Sequence, residues 1–216
     1  MFRNSEHLWF ANSKRPTRIN GAGAKAVVFP KVMCQVCNNV RSQPFDGAYD
    51  HFVNFVWEYP EYFRTRSKFG MLEIFDGDAS GSANLARYYI KNIACRIAEI
   101  GFEVPHQIVD YMDGAPRILG GTLVLYKDFS AFDYFSEQGT QGHFPRANRM
   151  HNPESSAQGP LAVFRAEIQD GPIGALFWWD EETPTGVVFS SQPLTYLRAR
   201  QDLPHLELHD YSDLYD

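Results

Sequence analysis

The chain has 216 residues, of which 44% are hydrophobic and 15% aromatic, enough to bury a sizeable core and too apolar for a disordered polypeptide. Three cysteines exclude a disulfide framework and suit a reducing cytoplasm, and no apolar run reaches membrane-spanning length. The net charge of −6 is divided unevenly: residues 1–70 carry ten Lys/Arg against five Asp/Glu (net +5), and residues 71–216 carry ten against 21 (net −11), which directs any question about nucleic acid to the first part.

Met1 to His7 has no charged-then-apolar signal architecture, so a soluble cytoplasmic protein is expected. Ser5 to Phe10 reads as a strand or strand end, and the Pro- and Gly-punctuated stretch Asn12 to Gly23 reads as a basic loop. Ala26 to Met33 is apolar and β-branched, with Pro30 assigning it to an edge or a break. It leads to Cys34-Gln35-Val36-Cys37-Asn38-Asn39, where two of the three cysteines stand as C-x-x-C. Such a turn can offer two thiolates to one zinc ion, or simply hold two partly buried cysteines. Beyond Asn39 the period changes. Phe45, Tyr49, Phe52, Val53, Val56 and Trp57 share one helical face, with Ser42 or Asp46 available as a cap and Pro60 limiting the end.

Taken in order, Glu6-His7, a loop, an apolar strand, Cys34-x-x-Cys37-Asn38-Asn39 and a helix resemble the HNH (ββα-metal) nuclease module, in the variant whose final H is an Asn after the second Cys. The resemblance covers about residues 5–58. It implies two strands and a helix around one divalent metal, Mg²⁺ or Mn²⁺, and hydrolysis of DNA by a metal-dependent endonuclease. Glu6 and Asn38 would be ligands of that metal, His7 the general base, and Cys34 and Cys37 half of a structural zinc site. A near-neutral histidine suits deprotonation of a water, and carboxylate and amide oxygens suit a hard cation. Two departures are visible: no cysteine pair precedes His7, and the family's middle Asn has only Asn20 as a candidate. An alternative reading is therefore a catalytically inactive HNH-derived binding or interaction protein. Lys14, Arg15, Arg18 and Arg41 are the expected phosphate contacts, and His51 and Cys95 the first candidates to complete a zinc site.

Residues 67–83 read as a linker. Within it, Asp76-Gly77-Asp78-Ala79-Ser80-Gly81 mimics the opening of a calcium loop, but Arg87 occupies the twelfth position, so a turn into a helix cap is expected. Ala86, Ile90, Ile93, Ala94, Ile97 and Ile100 line one face of a helix stopped by Gly101, with Cys95 beside that face as a small buried hydrophobe. Pro105 to Met112 reads as a second short helix. From Arg117 the signals turn to β: Thr122 to Tyr126, Leu161 to Ile168, a hairpin turn at Asp170 to Gly174, Ala175 to Trp179, then Val187 to Ser190. Residues 136–160 read as a long loop bearing His143 and His151, and Asp202 to Asp216 as an acidic tail.

No G-x-S-x-G, P-loop or G-x-G-x-x-G after a strand occurs. The expected architecture is α+β: an HNH-like ββα module over 1–66, then a domain over 67–216 with a helical pair (84–113), an antiparallel β region (117–200) and the acidic tail. DNA is the expected partner of the basic module, and a protein that of the acidic part.

Overall fold

A computed structural model of the chain describes residues 8–11, 16–19, 33, 36–138, 146–154, 161–191 and 193–203. The fold is α+β. Two strands, β1 (Leu8–Ala11) and β2 (Pro16–Ile19), form an antiparallel pair of their own, with Trp9 opposite Arg18. β2 thus lies inside the stretch expected to be loop. A single turn of π-helix, Cys37–Arg41, then leads into α1 (Gln43–Glu58). Tyr49, Phe52, Val53 and Val56 are the buried stripe of α1, as their spacing requires. The helix ends at Tyr59, whose backbone leaves the helical region ahead of Pro60.

The expected linker after α2 (Pro60–Thr65) is ordered structure: β3 (Lys68–Phe69), α3 (Met71–Ile74) and a turn through Asp76 and Gly77. Phe69, Met71, Ile74 and Phe75 are all buried there, so four apolar residues scattered without a clear period bind this segment to the core. α4 (Ala79–Glu99) follows, the longest helix. Asp78 caps it by accepting the Ser80 amide at 2.8 Å, the role expected of the calcium-like sequence, and the Ser80 hydrogen bonds hold the Asp78 carboxyl below its ordinary pKa. α5 (His106–Met112) completes the helical pair.

The second half builds a six-stranded sheet from β3, β4 (Gly121–Lys127), β5 (Arg146–Glu154), β6 (Val163–Asp170), β7 (Ile173–Asp180) and β8 (Thr195–Ala199), in the order β3-β8-β4-β7-β6-β5. The β6–β7 hairpin closes through Gly171 and Pro172, with Gly171 at φ +79° where a side chain would be strained. All pairings are antiparallel except β4 with β8, which is parallel, a departure from the purely antiparallel region expected. Helix α6 (Phe129–Gln138) follows β4 directly. The stretch expected as a long loop contains β5, which has few apolar residues to mark it and is held by its backbone pairing with β6. Val187 to Ser190 is not a strand: Val188 makes one bridge to Leu123, and Phe189–Ser191 is a 3-10 turn.

One face of the sheet meets the helices. Leu123, Leu125, Phe164, Ala166, Phe177 and Leu197 from the sheet join Phe52, Val56, Phe63, Leu85, Ile90 and Ile97 from the helices in one buried cluster. This core runs without interruption across residues 66 and 67. Among the described residues no helix is long and apolar enough to cross a membrane.

Candidate functional site

Of the residues singled out for chemistry, Cys37, Asn38 and Arg41 stand together on the π-turn that starts α1. The turn is closed by the Ser42 amide donating to Cys37 O at 3.1 Å and by Ser42 Oγ donating to Asn38 O at 2.6 Å. These bonds use the Asn38 backbone and leave its side chain at the surface. There Asn38 Nδ2 donates to Asn39 Oδ1 at 3.3 Å. Arg41 is exposed and lies 3.5 Å from Asp113, an ion pair that solvent screens to little net worth.

Beneath this turn lies a buried polar contact that the sequence did not announce. Lys91 of α4, 8% exposed, forms an ion pair with Asp46 of α1, approaches Ser42 Oγ at 3.4 Å, and sits 5.4 Å from the centre of the Tyr88 ring. It pins the start of α1 to α4. Cys95, one turn further along α4, is buried, and desolvation pushes its thiol up in pKa, with Lys91 opposing. A thiol held protonated in this way is a packing group rather than a ready metal ligand. His51 is turned elsewhere, with Nε2 2.6 Å from the Ile74 carbonyl and its ring stacked on Phe75. That distance makes Nε2 the donor.

Among the described residues, no three His, Cys, Asp or Glu side chains group closely enough to hold a metal ion, so Cys37, His51 and Cys95 do not form such a group. Glu6, His7, Lys14, Arg15, Asn20, Cys34 and His143 lie outside the described residues. Arg18 and His151 fall on β2 and β5.

The sheet's other face holds polar residues that the sequence reading passed over. Tyr126 OH donates to Glu167 Oε1 at 2.7 Å, and Arg200 Nε donates to the same oxygen at 3.2 Å. Arg200 also lies 3.6 Å from Asp128, which accepts from Gln169 Nε2 at 2.9 Å and from the Ser130 amide at 3.0 Å. All of these except Ser130 are buried. Their signal was the alternation Arg165, Glu167, Gln169 along β6, which reads as a solvated face until Arg200 and Leu203 cover part of it. Lys127 is on the opposite face, donating to the carbonyls of Arg64 at 2.9 Å and Arg66 at 3.0 Å at the end of α2, and burial lowers its pKa. Its donors are spent on the backbone.

Comparison of the chain with protein-family models, with curated proteins and with solved structures gives no significant match.

Proposed function

We propose that this chain is an HNH-like, metal-dependent endonuclease that hydrolyses DNA phosphodiesters in the cytoplasm. The observation that carries the reading is the order of elements. β1 opens directly after His7, pairs antiparallel with β2, and the Cys37-Asn38 turn opens directly into α1. The resemblance puts its second strand at Ala26 to Met33, which apart from Met33 lies outside the described residues, so what supports the reading is the strand after His7 and the helix after Asn38.

The donor set suits a hard divalent cation: Glu6 supplies a carboxylate, and Asn38, an exposed residue, supplies an amide oxygen. Those two residues would hold Mg²⁺ or Mn²⁺, which when bound supplies positive charge to the phosphate. His7 takes the proton from the attacking water, a task for which a near-neutral imidazole is suited. Lys14, Arg15, Arg18 and Arg41 bind backbone phosphates, and residues 1–70 carry a net charge of +5. Cys34 and Cys37 supply two thiolates to a structural Zn²⁺.

The test compares wild type, His7→Ala and Asn38→Ala on supercoiled and linear DNA with Mg²⁺, Mn²⁺ or EDTA. Cleavage by wild type that both substitutions and EDTA abolish, with folding retained, supports the reading. Equal cleavage by all three proteins, or none by wild type, sinks it. A second reading is a catalytically inactive HNH-derived protein whose acidic part binds a protein partner. It is favoured by Arg41, an expected phosphate contact that is already turned onto Asp113.

A further inference from the structure

The face of the sheet opposite the helices is only half covered. Arg200 and Leu203 close over Tyr126 and Leu176, Val124 and Trp178 pack against that cluster, and among the described residues the part toward the β3 edge is exposed. The pairing registers say what that open part presents. Lys68 of β3 is opposite Tyr196 of β8, and cross-strand partners point to the same side. Tyr196 and Arg198 are the exposed residues of β8, between the buried Thr195, Leu197 and Ala199, so they share one face. Across β4, Thr122 is opposite Trp178 of β7, and Trp178 is opposite Arg165 of β6. Trp178 and Arg165 are both half-buried. The face therefore carries Lys68, Tyr196 and Arg198 at its exposed side, and Trp178, at the margin of the covered cluster, with Arg165 at the other.

Two properties mark this face as more than solvated surface. Tyr196 is 64% exposed, the position for a ring that has no packing role of its own. Among the described residues the cations also have no counter-charge. Nearby ion pairs join Arg64 to Asp133, Arg66 to Glu73, and Arg200 to Asp128 and Glu167, and among the described residues Lys68, Arg165 and Arg198 belong to none. Of the described acidic groups near the face, Glu167 and Asp180 are already engaged, and Glu154, opposite Val163 of β6, shares it. Glu167 is buried under Tyr126 and Arg200, and Asp180 accepts from the Glu182 amide and the Thr183 hydroxyl. Asp202 lines the shallow groove beside Arg198 and remains the one carboxylate at its rim among the described residues. Arg165 and Arg198 come from the part of the chain with net charge −11 and Lys68 from the part with net charge +5, and the sheet brings the three onto one face.

We infer that this open sheet face is a docking surface for single-stranded nucleic acid, with bases stacked on Tyr196 and Trp178 and phosphates on Lys68, Arg198 and Arg165. Two strand spacings separate β8 from β7, about 9.5 Å, and Trp178 is offset along the sheet by two residues, about 7 Å, so one short segment of strand spans both rings. An aromatic on a sheet takes any unpaired base because every base has a π-face, and flanking cations follow the backbone. An acidic peptide would use the cations and leave the rings idle. The inference does not rest on the nuclease reading, because binding here needs neither His7 nor a metal.

The test is fluorescence anisotropy of a labelled oligothymidylate with the full chain at low salt, in EDTA so that cleavage plays no part. Wild type is expected to bind. Tyr196→Ala weakens binding roughly tenfold and Tyr196→Phe restores it, because the ring and not the hydroxyl stacks. Lys68→Glu with Arg198→Glu weakens it further and flattens the salt dependence. Urea midpoints equal to wild type confirm that each variant is folded. Absence of binding by wild type, or affinity untouched by the Tyr196 and Lys68/Arg198 substitutions, overturns the inference. So does equal loss in Arg41→Glu, which moves the contact to the N-terminal module, and so does a polyglutamate peptide competing as well as the oligonucleotide.

Discussion

Arg200 stands between two carboxylates, with Nε on Glu167 and Nη1 facing Asp128, at the place where the chain crosses the covered half of the sheet's second face. At 4% exposure it is a charge taken out of water, and Glu167, at 1%, is another. Such a pair adds little over an apolar isostere, but removing one member strands the other. Arg200→Met is therefore expected to destabilise the fold by about 3–5 kcal/mol, read from urea unfolding. Adding Glu167→Gln, which keeps a hydrogen-bond acceptor for Tyr126, should recover about half of that loss. A double variant no more stable than the single one would mean that Arg200 acts through packing alone. The neighbouring Lys127 shows the other solution to a buried charge, with its ammonium shared among the last carbonyls of α2.

At the scale of elements, α4 shows how far local signals reach. Its periodic stripe, its Asp78 cap and the Gly101 stop at φ +90° are all readable from residue order. Its first turn depends on something that order does not reveal: Gly81 packs against the Phe75 side chain, and a Cβ there would come within 2.3–2.8 Å of it. Alanine in place of a helical glycine ordinarily stabilises by about 0.5–1 kcal/mol. Gly81→Ala is expected to do the reverse and cost roughly 1–3 kcal/mol, because Phe75 has to move. A rise in the urea midpoint of that variant would contradict the packing described. The short elements β3 and α3 carry the same lesson, since Phe69 and Ile74 are core residues in a segment too irregular to look like one.

At the scale of the molecule, one buried cluster draws residues from both sides of residue 67. Phe52, Val56 and Phe63 precede residue 67 and are buried with Phe177 and Leu197, and the Leu197 amide donates to Ser67 O at 2.8 Å. Residues 67–216 expressed alone would expose that surface. They are expected to show no cooperative thermal transition and no near-ultraviolet circular dichroism, whereas the whole chain shows both. A cooperative transition in the fragment would establish 67–216 as an independent domain.

What the sequence by itself determined is whatever neighbouring residues decide. The helical stripes from Phe45 to Trp57 and Ala86 to Ile97, the Asp78 cap, and the turn at Asp170 to Gly174 depend on contacts within a few positions. The same holds for the turn Cys37–Arg41 at the head of α1. Only the tertiary structure decided that β8 runs parallel to β4, that β5 is a strand, and that Glu167 is buried while Tyr196 is not. The alternating residues of β6 and β8 look alike in sequence. Their fates differ because Arg200 and Leu203 return over one part of the sheet and leave the other open, and such a long-range return has no local periodicity to announce it.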